Sequence, residues 1–381
     1  MKTQERLSEI RVHPRLSAAN CAFSIFLSLA AICQGQPSRW SEPAANAWYA
    51  KQPWLVGSNY IPSNAVNQLE MWQAGTFVPA RIDTELGWAE KIGMNTMRVF
   101  LHDLLWEQDP GGFRQRIDTF LQIADRHHIK TMFVLFDSCW DPNPKLGPQA
   151  APRAGIHNSG WVQSPGRAAL SDPGQYPRLE RYVKGVIGAF AKDQRVLAWD
   201  LWNEPDNTNA DTYPPPKGFD LAGIVIPLLP RIAGWAREAG PVQPLTCGLR
   251  SVSPPGKLSA VEKIEIESSD VISFHVYSHA AVFKQDVFWL RTYNRPILCT
   301  EYLARPLNST FESTLPLAKQ LHIGAYNWGL VNGKTQTHLP WDSWETPYRN
   351  REPDLWFQDI FRQDGRPYRA SETEFIRNIM R

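Results

Sequence analysis

Two glutamates follow strongly apolar segments that lie far apart in the chain. Glu204 ends the segment VLAWDLWNE and Glu301 ends PILCTE. Apolar runs of this length, rich in branched and aromatic residues, predict buried strands, so each carboxylate should stand at a strand end. Glutamates are mostly surface residues, and the preceding strands set these two apart. If one cleft holds both, a protonated acid beside an ionised carboxylate can hydrolyse a glycosidic bond.

The rest of the chain supplies the elements that must position this pair. After Pro37, short β-branched or aromatic segments alternate with segments of helical period, which predicts parallel strands joined by helices. Strands are predicted at 54–60, 95–101, 130–137, 196–202, 244–249, 271–277, 296–302 and 324–330. Helices are predicted at 83–92, 113–127, 176–192, 219–238, 281–292 and 312–322.

Eight such units predict a single domain over residues 37–381, an α/β fold of the (β/α)8 TIM barrel type with long loops at the carboxyl ends of its strands. An open doubly wound sheet is the alternative. The turn after the first strand, GSNYIPSN, lacks the glycine-rich phosphate-binding pattern of its nucleotide-binding versions. The Pro-rich and Gly-rich segment 138–175 and the segment 329–344 would both overhang the active-site end of a barrel.

Further residues accompany the two glutamates in a recognisable order. They are Arg98 in NTMRVF, the triplet Asn203-Glu204-Pro205, His275 and Tyr277 in FHVY, Glu301, and Trp328 in the last strand. Together they resemble the retaining (β/α)8 glycoside hydrolases of the cellulase and mannanase type, glycoside hydrolase family 5 and its clan relatives. The resemblance covers nearly all of the chain after residue 36.

The resemblance implies that Glu204 is the general acid/base and Glu301 the nucleophile. Arg98 and a hydrogen bond from Tyr277 would keep Glu301 ionised. A general acid must hold its proton near neutral pH, so we expect a dry setting and the charge of Glu301 to raise the pKa of Glu204. Asn203 would then reach the sugar 2-hydroxyl, a contact that strengthens in the transition state.

Other predicted substrate contacts are less tightly defined. His275 would orient the acid, and Trp328 would form a platform under the sugar on the non-reducing side of the cleaved bond. Many family members carry a histidine near the end of strand three, where this chain has Asp137 in FVLFDSCW. Asp137 could bond sugar hydroxyls or pair with a basic neighbour, and His102 could do similar work. Asp200 is predicted to be a structural partner.

The sequence contains 16 tryptophans, which suit flat ligands with an apolar face and a polar rim. Trp161, Trp140, Trp106 and Trp341 are candidates for stacking on sugars. Trp88, Trp235 and Trp289 lie in helical patterns and are predicted to be core residues.

Charge and histidine spacing exclude other classes of partner. The formal net charge is +2, and without a patterned basic run nucleic acid is not expected as a partner. Cleavage of residues 1–36 on export would remove even this small excess of positive charge, so a neutral substrate is expected. His127 and His128 are adjacent on a predicted helix and point apart, and no His/Cys cluster has metal-ligand spacing. Neither a metal nor another cofactor is predicted.

The amino-terminal segment resembles an export signal. Residues 21–32 are apolar and follow Lys2, Arg6, Arg11 and Arg15, so residues 1–36 are predicted to be a signal peptide of a periplasmic or secreted protein, with no membrane span. Three cysteines follow, an odd number that implies no disulfide framework. Cys247 and Cys299 lie in apolar runs and are predicted to be buried.

These patterns predict an exported retaining β-glycosidase that acts on a neutral β-linked oligosaccharide or polysaccharide. The alternatives are a transglycosylase, which shares the first step but excludes water from the second, and a non-catalytic carbohydrate-binding barrel, which the replacement of either glutamate would favour. The sugar, the linkage, endo or exo action and the oligomeric state stay open, although the long loops after strands three and eight favour short or terminal substrates.

Overall fold

A computed structural model describes residues 38–381, and the predicted signal peptide at 1–36 lies outside the described residues. Eight parallel strands close into a barrel in chain order, which confirms the predicted (β/α)8 fold. The strands are β1 (Val56–Asn59), β2 (Thr96–Phe100), β3 (Lys130–Asp137), β4 (Val196–Asn203), β5 (Leu245–Leu249), β6 (Ile272–His275), β7 (Ile297–Tyr302) and β8 (Gly324–Trp328).

Helices surround the barrel and include all six that were predicted. They are α1 (Glu42–Tyr49), α2 (Gln68–Trp72), α3 (Pro79–Lys91), α4 (Asp103–Gln108), α5 (Pro110–Arg126), α6 (Arg167–Leu170), α7 (Tyr176–Phe190), α8 (Leu221–Glu238), α9 (Ala260–Ser268), α10 (Ala280–Leu290), α11 (Phe311–Leu321) and α12 (Ala370–Met380). The unpredicted α9 begins with a capping box between Ser259 and Glu262. It buries Glu262 and Glu265, so its sequence has no continuous apolar face.

The barrel interior is layered. Apolar side chains from several strands, Met132, Leu197, Leu298 and Tyr326 among them, form one cluster, and α1 packs against it. Nearer the carboxyl ends the interior becomes polar, because Arg98 and Asp200 point inward from β2 and β4 and are fully buried. A polar layer at this end places chemistry where the active sites of such barrels lie.

The three tryptophans that were predicted to be core residues differ in burial. Trp235 is buried, and Trp88 is half-buried against the same large core cluster. Trp289 is only half-buried, which corrects its assignment to the core, because α10 turns Phe283, Val287 and Leu290 inward instead. Cys247 and Cys299 are fully buried free thiols, as predicted, and Cys139 is also free. Within residues 38–381 no helix has both the length and the apolar character to cross a membrane.

Candidate active site

The barrel brings the two glutamates together at the carboxyl ends of its strands. Glu204 directly follows β4 and Glu301 lies in β7, and each is almost fully buried. One carboxylate oxygen of each residue and one ring nitrogen of His275 lie within 4.8 Å of one another. The pairing predicted from two remote segments is therefore present at one rim.

Glu301 is held by two donors. Arg98 Nη1 donates to Oε1 at 2.8 Å, and the Tyr277 hydroxyl donates to Oε2 at 2.7 Å. Both contacts were expected from the sequence. They stabilise the ionised form of the carboxylate, because each donor bonds to charge-bearing oxygen.

Arg98 is the centre of a buried hydrogen-bond network. Besides Glu301 it contacts Asp200 Oδ2 through Nε at 3.0 Å and Nη2 at 2.8 Å, so Asp200 is its structural partner. It also donates to the side-chain oxygens of Asn59 and Asn203 at 2.8 and 2.7 Å. Burial lowers the pKa of Arg98, but the charges of Asp200 and Glu301 more than offset this and raise it. The guanidinium therefore stays charged and fixes the side chains around it.

Glu204 sits on an unusual backbone. Its φ of +45° is left-handed, which is uncommon for a residue with a side chain. Its N–H donates to the Gly248 carbonyl of β5 at 2.9 Å. A β-carbon at Gly248 would lie 3.1 Å from both Arg98 Nη2 and His275 Nε2, so a larger residue would crowd these two side chains where β5 passes them.

Three side chains contact the carboxylate of Glu204. His275 Nδ1 lies 2.7 Å from Oε1, Asn207 Nδ2 donates to Oε2 at 2.7 Å, and the Cys139 thiol donates to Oε2 at 3.4 Å. His275 thus occupies the predicted place beside the acid. Asn207 and Cys139 were not identified from the sequence, because both belong to loops whose conformation no local pattern predicts.

The pKa shifts of the two glutamates run opposite to expectation in the resting site. Burial raises the pKa of Glu204, but the hydrogen bond and charge of His275, helped by Asn207 and Cys139, outweigh it and lower the pKa overall. Burial and the charge of Glu204 raise the pKa of Glu301 against the opposing effects of His275, Arg98 and Tyr277. The expected raised pKa of Glu204 was wrong because His275 bonds this carboxylate most closely.

Trp328 forms part of the cleft floor and rests on other aromatics. Its ring meets Phe100 and Trp161 edge-on, with centroids 5.5 and 5.7 Å away. Trp161 was predicted to contact substrate, but it is 2% exposed and its Nε1 donates to Asp137 Oδ2 at 2.6 Å. It supports Trp328 from below instead of facing the cleft.

Asp137 adopts neither of the roles considered for it. It is buried and accepts from the Asn203 side chain at 2.9 Å and from the Cys139 N–H at 2.9 Å, in addition to Trp161. Burial raises its pKa to about 6 against these bonds. Asp137 therefore orients the Asn203 amide and, through Trp161, supports Trp328. Its buried position does not offer the sugar contact that was predicted for it.

His102 also lies outside the cleft. It is fully buried, and its Nδ1 accepts from the Leu104 N–H at 3.2 Å, which caps α4. Of the other loop tryptophans, Trp140 and Trp341 line the cleft, whereas Trp106 packs on Gly185 of α7. The sequence located these aromatics near strand ends but could not give their depth.

The cleft over the glutamates has a volume of about 1080 Å³. Its wall includes side chains that sequence reasoning missed, namely Cys139, Arg153, His157, Asn207, Asn209, Arg250, Asp342 and Trp344. Aromatic faces alternate with amides and charges of both signs. This mixture suits a ligand with apolar ring faces and many hydroxyls.

Glu204, His275 and Glu301 also have the composition of a metal site, because each offers one ligand atom within 4.8 Å of the others. Sequence spacing did not predict this cluster, since the three residues come from three different strands. Two contacts favour a hydrogen-bonded acid pair instead. His275 Nδ1 already bonds Glu204 directly, and the Arg98 cation lies 2.8 Å from Glu301.

The fold matches several solved structures of glycoside hydrolases. An exo-beta-1,4-mannosidase from Opitutaceae bacterium strain TAV5 has a TM-score of 0.54 and 18% identity, with 86% of this chain covered. An endo-beta-1,4-mannanase from Thermotoga petrophila has a TM-score of 0.55 and 16% identity over 87% of this chain and 77% of its own. A GH5_18 structure from Streptomyces cattleya in complex with GlcNAc has a TM-score of 0.58 and 14% identity, with 85% and 80% covered.

The present chain spans 58% of the length of the first of these structures. No protein-family model and no curated protein sequence matches it. At these identities the comparisons show a shared fold, the (β/α)8 barrel.

Proposed function

We propose that the chain is a retaining β-glycosidase that works through a covalent glycosyl-enzyme intermediate. The observation that carries the proposal is the approach of the Glu204 and Glu301 carboxylate oxygens to within 4.8 Å. Retaining enzymes hold their two carboxyl groups about 5–5.5 Å apart, whereas inverting enzymes need about 6.5–9.5 Å to admit a water between carboxylate and sugar. The close spacing supports direct attack by one carboxylate.

In the first step Glu301 attacks the anomeric carbon, and the bond from that carbon to the leaving oxygen breaks. Glu204 gives its proton to the leaving oxygen, so the free sugar or alcohol departs neutral. Arg98 and Tyr277 orient Glu301 for this attack through their bonds to its two oxygens. Trp328 would carry the sugar whose anomeric carbon reacts.

In the second step water attacks the same carbon, the ester bond to Glu301 breaks, and Glu204 takes the proton from the water. The change of Glu204 from acid to base follows from the change of charge on Glu301. While Glu301 is esterified it carries no charge, so the repulsion that favours a protonated Glu204 is gone and Glu204 becomes the base.

Asn203 is prepared for the sugar 2-hydroxyl. Its side-chain oxygen accepts from Arg98 at 2.7 Å, and one amide hydrogen is used by Asp137. The amide nitrogen also lies 3.4 Å from Cys139 Sγ at the cleft wall, a weak contact that a hydroxyl can replace. Both ends of the amide are thus fixed, while one hydrogen remains for substrate.

The panel of substrates should begin with β-1,4-mannosides. Three of the similar structures are an exo-beta-1,4-mannosidase, an endo-beta-1,4-mannanase and a GH5_18 variant from Streptomyces cattleya in complex with Manb1-4GlcNAc. Glucosides, xylosides and glucuronides complete the panel, since a Bacteroides uniformis beta-glucuronidase shares the fold at 11% identity.

The intermediate can be trapped with a series of fluorosugars that carry good leaving groups. We expect one sugar of the series to add its mass to the protein and peptide mapping to place the label on Glu301. Glu301→Gln is the matched control and should remain unlabelled. Turnover with a label on another residue, or turnover by inversion, would overturn the mechanism. Binding without turnover of any sugar would favour a carbohydrate-binding barrel, and transfer to an acceptor sugar would favour a transglycosylase.

A further inference from the structure

Two long loops are joined over one side of the cleft. The Asn158 N–H after β3 donates to the Thr335 carbonyl after β8 at 2.7 Å, and His157 Nδ1 bonds the Leu339 carbonyl at 2.7 Å. The His157 N–H donates to Ser343 Oγ at 2.9 Å, and Trp344 Nε1 donates to the His157 carbonyl at 2.9 Å. We call residues 155–161 together with 333–344 the loop wall.

The loop wall is a built structure. His157, Asn158 and Ser343 are each at most 2% exposed. The loop after β1 joins it, because the Lys334 N–H donates to the Ser63 carbonyl at 3.0 Å. Burial lowers the pKa of His157 to about 4, so this ring stays neutral and keeps its bonds across the ordinary pH range.

The loop wall joins the loops after β8 and β3, which flank β1 and β2 in the closed barrel, and its Trp341 reaches as far as Tyr277 after β6, with ring centroids 5.3 Å apart. The opposite side is low. Only residues 276–279 connect β6 to α10, and from the connection after β5 Arg250 alone reaches the cleft. The loop after β4 also lines the cleft, through residues 207–212, so the mouth is most open over β5 and β6.

Aromatic side chains line the cleft where Trp344 of the loop wall meets neighbouring parts of the loops after β3 and β4. Trp140 and Trp344 stack with centroids 5.3 Å apart and planes 8° apart. The guanidinium of Arg153 lies over the Trp344 ring, 4.2 Å from the ring centroid. Tyr213 of the loop after β4 meets Trp344 edge-on at 5.6 Å. These contacts anchor the wall on three loops.

The chemistry determines which part of a glycan faces this wall. The nucleophile contacts the sugar whose anomeric carbon reacts, and the acid contacts the leaving group. Glu301 and Trp328 come from β7 and β8, beside the loop wall, while Glu204 follows β4 and faces the open side near Arg250. The non-reducing end of the substrate therefore points at the wall.

We propose that the loop wall ends the cleft one sugar beyond the cleaved bond, so that the enzyme is exo-acting and removes single sugars from non-reducing ends. This inference rests on the proposed glycosidase activity. The low side over β5 and β6 leaves room for a long leaving group, so chain length on that side should matter little.

The test uses hexasaccharides of the preferred sugar that are labelled at the reducing end, with and without a bulky acetal on the non-reducing terminal sugar. We expect the uncapped substrate to shorten one sugar at a time, and the capped one to react at least 100-fold more slowly. Internal fragments, or equal rates on both, would overturn exo action. Failure to cleave both hexasaccharides and all aryl glycosides would instead overturn the glycosidase proposal.

A variant links the result to the wall. The double change Trp140→Ala and Trp344→Ala removes the stacked pair and should raise the ratio of capped to uncapped cleavage at least tenfold. Trp54→Ala is the matched control, because Trp54 precedes β1 at the other end of the barrel, and it should leave the ratio unchanged. A folded double variant with the wild-type ratio would show that the wall does not limit substrate length. If the double variant does not fold, the comparison of capped and uncapped hexasaccharides with the wild-type protein still tests exo action.

Discussion

One nitrogen of His275 contacts both carboxylates of the candidate active site. Nδ1 lies 2.7 Å from Glu204 Oε1 and 3.4 Å from Glu301 Oε2. Carboxylate oxygens accept hydrogen bonds when ionised, so an N–H at Nδ1 that bonds Glu204 favours the charged form of this closer carboxylate. His275 therefore sets how the pair shares its proton.

Replacing His275 should move the acidic limb of the pH profile. The bond from His275 lowers the pKa of Glu204, so His275→Phe should raise that pKa. Glu204 has the lower pKa of the two glutamates, so the first deprotonation of the pair occurs on it, and the acidic limb of kcat/KM for a substrate with a poor leaving group should shift upward. His275→Gln keeps an amide donor and should shift the limb less. A limb that moves downward would show that His275 does not control Glu204.

Removing the Tyr277 hydroxyl should act on the opposite limb. Its bond to Glu301 opposes the burial that raises the pKa of that carboxyl. Tyr277→Phe should raise the pKa further, and because Glu301 has the higher pKa of the pair and so governs its second deprotonation, the alkaline limb of kcat/KM should shift upward. A lost bond to a charged group costs about 1.5–3 kcal/mol, or roughly 10- to 150-fold in kcat.

The assignment to the hydroxyl can be checked, because phenylalanine keeps the edge contact that Tyr277 makes with Trp341 at 5.3 Å. The circular dichroism spectrum and the melting temperature should be close to those of the wild type. An alkaline limb that does not move, together with unchanged kcat, would contradict a role for Tyr277 in holding Glu301.

The sequence predicted the barrel because alternating apolar segments carry the periods of strands and helices. The same patterns located Glu204, Glu301 and Arg98, since each ends or interrupts a strand with a charge that a buried position must use. The direction of a side chain along a strand follows from its period of two, so the inward orientation of Arg98 was also predictable.

The depth at which a side chain lies below the cleft, and the contacts between loops, were not predictable in the same way. Trp161 and Asp137 lie near strand ends as expected, but they bond each other beneath the cleft floor. Trp344 and His157 are 187 residues apart, and their hydrogen bond depends on two irregular loops. The prediction of which glutamate has the higher pKa was wrong for a related reason. That order depends on which carboxylate His275 approaches more closely.

Loss of Arg98 should destabilise the whole barrel. Arg98→Leu leaves the carboxylates of Asp200 and Glu301 buried without their cation. Removing one partner of a buried ion pair costs about 3–5 kcal/mol in the free energy of unfolding. The loss should be largest at pH 7 and smaller at pH 5, because an unpaired buried carboxylate has a raised pKa and protonation relieves it.

Urea unfolding at both pH values measures this effect. Arg126→Leu is the matched control, since Arg126 pairs with Asp83 at 2.9 Å on the surface, and screened surface pairs contribute little. A small and pH-independent effect of Arg98→Leu would show that the network around Arg98 is not needed for folding.

Asp137→Asn should impair recognition of the 2-hydroxyl. Asp137 Oδ1 accepts from Asn203 and from the Cys139 N–H, and Oδ2 accepts from Trp161. An amide has one oxygen only, so its NH2 group must face one of these donors. We expect kcat/KM to fall roughly 10- to 100-fold, the range of a lost bond to a charged group.

A 2-deoxy substrate separates the two ways in which this change can act. If Asn203 binds the 2-hydroxyl, Asp137→Asn should cost less with the 2-deoxy aryl glycoside than with its parent. Trp161→Phe removes the other donor but leaves Asn203 anchored, so it should affect both substrates equally. Equal losses in Asp137→Asn would exclude an effect through the 2-hydroxyl.

The pH profile of the same variant gives an independent measurement. Burial raises the pKa of Asp137 to about 6, so in the wild type one acceptor oxygen is lost as the pH falls through that value. Binding of the 2-hydroxyl should weaken in the same range, and kcat/KM for the parent substrate should show an inflection there. Asp137→Asn has no titrating group at this position, so the inflection should disappear from its profile, whereas Trp161→Phe should retain one.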